Sequence, residues 1–158
     1  MTKAGLFASV ASIALILAAV PAYADDGPDD SGEVAAIVAE AAPTSLESAP
    51  IVQAPDSAIA SLESGGEVSI ANEPDEGVAV TSTQGVQLLD VTLPGAHALG
   101  AGEIAEDGSV TYPGSEGVPA VNVLAADHSL RLSVVIADAG EPTRYDYDLG
   151  EGVSIEIN

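Results

Sequence analysis

Cysteine and tryptophan are missing from this chain of 158 residues. Without cysteine there is no disulfide, no thiol nucleophile and no lipid-modified amino terminus of the lipoprotein kind. Basic residues are nearly missing too: three Lys and Arg stand against 25 Asp and Glu, a formal charge of −22. A field of that sign repels nucleic acid and anionic membrane surfaces, so neither is an expected partner. His97 and His128 are the two histidines, and groups able to move a proton near neutral pH are correspondingly few. Long apolar runs are absent with one exception, at the amino terminus.

That exception has the three-part order of a secretory signal peptide. Lys3 precedes an apolar core of 15 residues from Leu6 to Val20. Pro21 then leads into Ala22-Tyr23-Ala24, the small-x-small pattern that a signal peptidase accepts. The run is shorter than the roughly 20 apolar residues that span a bilayer. The chain changes solvent preference at once, with four carboxylates between Asp25 and Asp30. The expectation is a signal peptide over 1–24, cut after Ala24 to leave Asp25 as the new amino terminus, and a protein that is secreted and extracellular. The product holds 25 carboxylates against Arg131 and Arg144, a net charge of −23, and no membrane contact is expected after cleavage.

Residues 25–76 are rich in Ala, Ser and Pro and contain thirteen carboxylates and no base. High charge with few large apolar groups cannot offset the entropy of ordering, so composition predicts a disordered acidic segment. Within it, "DSGEVAAIVAEAA" carries a helix signal. Asp30 and Glu33 have capping-box spacing, and Val34, Ile37, Val38 and Ala41 share one face. Such a helix is marginal in water unless it packs against something.

From 77 to 158 the pattern is β. Short β-branched runs recur at "GVAVTS", "GVQLLDVTL", "GSVTY", "AVNVLA", "SLRLSVVIA", "RYDYDL" and "GVSIEI". Turn signals separate them, among them Glu106-Asp107-Gly108 and Asp127-His128. Alternation puts Leu130, Leu132, Val134 and Ile136 on a core face with Arg131 and Ser133 opposite. Likewise Tyr145, Tyr147 and Leu149 oppose Arg144, Asp146 and Asp148. The fold class expected is mostly β, a small antiparallel sandwich or open barrel, preceded by the signal peptide and the acidic segment.

The block from Val110 to Leu149, with Glu141-Pro142-Thr143-Arg144-Tyr145-Asp146-Tyr147 at its end, resembles a group of secreted actinobacterial proteins of uncharacterised function. In that group a variable acidic leader precedes a C-terminal β-rich region. The resemblance implies the same two-part layout and no particular activity. It also implies further strands after "SIEI", which would make this chain a short member with an incomplete sheet.

No catalytic constellation is present. Asp127-His128-Ser129 holds the residue types of a hydrolase triad, but a triad is assembled from side chains that converge in space, and adjacent residues read as a turn tip. "GSEG" lacks the spacing of a nucleophile elbow. No cofactor is expected. Calcium is the one metal to weigh: Asp146 and Asp148 on one strand face with Glu151 after them form a weak candidate site, lacking the alternating calcium-loop pattern. Loose association of divalent cations with so acidic a chain follows from its charge.

The function expected is that of a non-catalytic extracellular or envelope-associated β module. The alternatives are a carboxylate-based hydrolase, or an inhibitor or subunit that completes its fold on a partner. The run Val153-Ser154-Ile155-Glu156-Ile157 has an apolar face and an open edge, so a protein partner or salt- or calcium-promoted self-association through this C-terminal strand is expected.

Overall fold

The computed structural model describes residues 12–16 as backbone, and residues 31–42, 46–115, 117–136, 142 and 144–150. One helix, α1 (Ser31–Ala41), and ten strands are found there. The strands are β1 (Ser12–Ile16), β2 (Ile51–Gln53), β3 (Ser57–Ser61), β4 (Glu67–Ala71), β5 (Val78–Thr81), β6 (Gln87–Val91), β7 (Glu103–Ile104), β8 (Val110–Tyr112), β9 (Ala120–Ala126) and β10 (Ser129–Val135).

They form two five-stranded sheets. Sheet B has the order β2-β3-β4-β5-β6, a meander of neighbours in sequence, and sheet A the order β1-β10-β9-β8-β7. Every pairing is antiparallel except that of β1 with β10, which is parallel. Neither sheet closes on itself, and the mostly β architecture is a small sandwich.

One apolar cluster fills the space between the sheets. Ala58, Ala60, Val68, Ile70, Val78, Leu89 and Val91 come from sheet B, and Val110, Tyr112, Val121, Val123, Ala125, Leu130 and Leu132 from sheet A. Tyr112 is its largest fully buried side chain, and its hydroxyl donates across the sandwich to the Ala71 carbonyl at 2.6 Å. Gly102 leaves room for the ring: a Cβ there would stand 2.8 Å from Tyr112 Cε1. At Gly77, φ is +66° and a Cβ would run into the Val91 carbonyl oxygen, so the β4–β5 connection can turn this tightly only with glycine.

The acidic stretch 25–76 requires a correction. Its described part is not a tail: 31–41 is helical and 46–76 supplies three of the five strands of sheet B. The sandwich therefore begins well before residue 77. The physical reason is that "SAIAS" and "EVSIA" alternate with period two, so Ala58, Ala60, Val68 and Ile70 bury against the large residues of sheet A while Ser and Glu face out. A count of bulky apolar residues misses a sheet whose inner face is built partly from alanine.

The helix signal gives α1, and the partner it needs is the outer face of sheet A. Val34, Ala35 and Val38 are buried, and Val34 and Val38 pack with Ala120 and Val135, with Ile37 beside them. The Asp30 cap lies outside the described residues. Of the expected runs, "RYDYDL" keeps its alternation, with Tyr145, Tyr147 and Leu149 half-buried between exposed neighbours. Its only ladder contact among the described residues is Asp148, whose carbonyl accepts the Thr92 N–H at 2.9 Å. The "GVSIEI" run lies outside the described residues.

Candidate functional site

The sequence "AVNVLAA" of β9 is apolar on both faces but for one asparagine, and all seven residues are buried. A strand covered on both sides is central to its layers. Its inner face belongs to the sandwich core. Its outer face, with those of β8 and β10, holds a polar group in an otherwise apolar setting: Ser109, Thr111, Asn122, Arg131 and Ser133 are all buried.

The hydrogen bonds fix the chemistry of this group. The Asp107 carboxylate accepts from Ser109 N (2.9 Å) and Ser109 Oγ (2.6 Å). The Ser109 hydroxyl, having donated its proton to Asp107, accepts from Asn122 Nδ2 at 2.8 Å, and the same amide nitrogen donates to Thr111 Oγ1 at 3.0 Å. The amide is thereby oriented, and Asn122 Oδ1 is left over with no partner. Ser133, in register with Asn122, has an unpartnered Oγ. Arg131, two pairs further along in register with Leu124, has a buried Nε with no partner.

Arg131 is the anomaly. It is 3% exposed in a chain of charge −22, and among the described residues no ion pair holds it: the single salt bridge there joins the exposed Arg144 and Asp146 at 2.8 Å. Burial lowers the guanidinium pKa from its ordinary value, and the negative charge of Asp107 opposes that shift. Burying a cation that is only partly compensated costs several kcal/mol of desolvation. A planar fork of donors in that state is suited to a carboxylate.

Beside this face runs an edge. The outer side of β10 is occupied by β1, in parallel register from Ser12↔Ser129 to Ile16↔Ser133, with Ala14 opposite Arg131. These five residues lie inside the run that reads as the core of a signal peptide.

Of the residues singled out from the sequence, Ala22, Ala24, Asp25 and Glu151 lie outside the described residues. Asp146 is engaged by Arg144 through Nε at 3.0 Å and through the salt bridge, and Asp148 Oδ1 accepts from Gly150 N at 3.0 Å. Among the described residues no three His, Asp or Glu side chains converge as a metal site. His128 is exposed in the β9–β10 turn, where Asp127 accepts from the Glu63 N–H, and His97 is exposed in a 3-10 turn at Ala96–Ala98. The alternation that set Arg131 and Ser133 opposite the core is present. What it missed is that this opposite face is also covered. Comparison with family models, curated proteins and solved structures found no match to this chain.

Proposed function

We propose that this protein is a secreted, non-catalytic β module that works by accepting an extended strand at its β10 edge. The observation that carries the reading is the parallel pairing of Ser12–Ile16 with Ser129–Ser133. A segment with the marks of a removable signal occupies the edge of sheet A beside β10. Removal of 1–24 leaves the β10 N–H and C=O groups on that side without a ladder. An open edge recruits another strand by main-chain hydrogen bonds, with pockets for alternate side chains setting specificity. The inhibitor-or-subunit alternative joins this reading, because a chain with a vacated edge completes its sheet on a partner.

The signal peptide itself is tested by amino-terminal sequencing of the exported protein. The expected first residue is Asp25; recovery of Met1 or Thr2 overturns the export reading. The acceptor edge is tested with the chain starting at Asp25 and a synthetic peptide of residues 9–18. Calorimetric titration is expected to give one-to-one binding with a negative heat-capacity change, the mark of apolar burial. Absence of binding at any temperature overturns the proposal.

A further inference from the structure

The register of β1 on β10 defines what this edge asks of a strand. Ile13 and Leu15 stand opposite Leu130 and Leu132, which belong to the core between the sheets. Successive residues of a strand alternate faces and registered partners share one, so these two positions call for large apolar side chains. Ala14 stands opposite Arg131, on the outer face with Ser133 and Asn122. There the requirement is polar. Arg131 Nε, Ser133 Oγ and Asn122 Oδ1 are all buried without a hydrogen-bond partner, and alanine has no polar side-chain atom to offer them.

Of these three groups the guanidinium identifies the ligand chemistry. Asp107, whose charge it feels, has its carboxylate taken up by Ser109 N and Oγ and forms no ion pair with it. The other arginine of the chain from Asp25, Arg144, is exposed and bound to Asp146. A fork of donors with no anion in contact is best met by a carboxylate. The leader therefore holds the slot without meeting its charge. Resting on the acceptor-edge reading, we propose that the strand this edge takes after the leader has gone belongs to another protein and has the order aliphatic–acidic–aliphatic, with its Asp or Glu carboxylate paired to Arg131 in the register of Ala14. A net charge of −23 on each copy opposes a second copy in that role. It favours a partner that is basic or neutral apart from this one acid.

The test titrates the chain from Asp25 with the peptide of residues 9–18 and with the same peptide carrying Ala14→Glu, Ala14→Gln or Ala14→Lys. At this one position the field of the whole protein and the local guanidinium pull in opposite directions. The net charge of −23 favours lysine, whereas Arg131 favours glutamate. At physiological ionic strength the field reaches only about 8 Å, so the contact pair decides. The Ala14→Glu peptide is expected to bind about tenfold tighter than the native one, Ala14→Gln close to native, and Ala14→Lys weakest. In Arg131→Met the Ala14→Glu peptide should lose its advantage over Ala14→Gln while the native peptide still binds. If the native peptide binds but Ala14→Glu is no tighter than Ala14→Gln or Ala14→Lys, or keeps its advantage in Arg131→Met, the carboxylate inference is overturned and the acceptor edge stands. Binding that appears only in the variant Ile155→Pro, a substitution that resists strand pairing, overturns the separate partner and makes residues 151–158 of this protein the occupant. No binding of any peptide to the parent chain or to that variant overturns both readings.

Discussion

Replacing Tyr112 with alanine is expected to remove about 4 kcal/mol of folding stability, the largest loss from any single side chain here. The ring is fully buried between the sheets, and the cavity it leaves is bounded by strands that cannot collapse independently. The Ala71 carbonyl loses its cross-sandwich donor in the same step. For a domain of this size the loss approaches the whole stability, so much of the variant should be unfolded near room temperature. Tyr112→Phe separates the two contributions, keeping the ring and losing only the hydrogen bond, for a cost near 1 kcal/mol. Urea unfolding of the three proteins measures both. Equal, small losses for Ala and Phe would mean that the ring does not join the two sheets.

The opposite sign is expected at Arg131. Replacement by methionine keeps most of the length and apolar contact of the side chain and removes a buried cation whose Nε has no hydrogen-bond partner. Exchange of buried charge for apolar volume stabilises by about 1–4 kcal/mol when the charge is poorly compensated. Asp107 supplies partial compensation, which places the expected gain near 2 kcal/mol in the full-length chain. A core substitution that raises stability marks a residue held for something other than folding. A loss of 3–5 kcal/mol in the same experiment would identify a well-paired charge and remove the basis for a carboxylate partner.

The sequence made one half of the sandwich legible. The β9–β10 hairpin has clean alternation on both sides of Asp127-His128, and the structure turns there with Ala126 opposite Ser129. Gly108, at φ +80°, ends the turn read from Glu106-Asp107-Gly108, with Asp107 capping the Ser109 N–H. The first three strands of sheet B were hidden, because Ala58 and Ala60 say little about burial until Ile70 and Val68 pair with them and sheet A covers them. Five prolines and thirteen carboxylates over 25–76 argued for disorder. Those among the described residues are exposed, except Pro74, and so cost the sheet nothing. The outer polar face was hidden for a related reason: a period-two pattern identifies two faces but not whether the second is covered. The signal for it was Asn122 inside "AVNVLAA", a run too apolar for a strand with one wet side.

The central claim is that β10 is an edge once residues 1–24 are gone, in a sandwich that otherwise stays intact. Hydrogen exchange of individual backbone amides in the chain from Asp25 tests it directly. In an edge strand every second amide loses its ladder partner, while the others remain bonded to the neighbouring strand. At low salt the account predicts fast exchange at alternate amides between Ser129 and Val135, slow exchange in β8 and β9, and restored protection of β10 when the peptide of residues 9–18 is added. Uniform slow exchange along β10 without the peptide, or loss of protection throughout β8, β9 and β10 together, would contradict it.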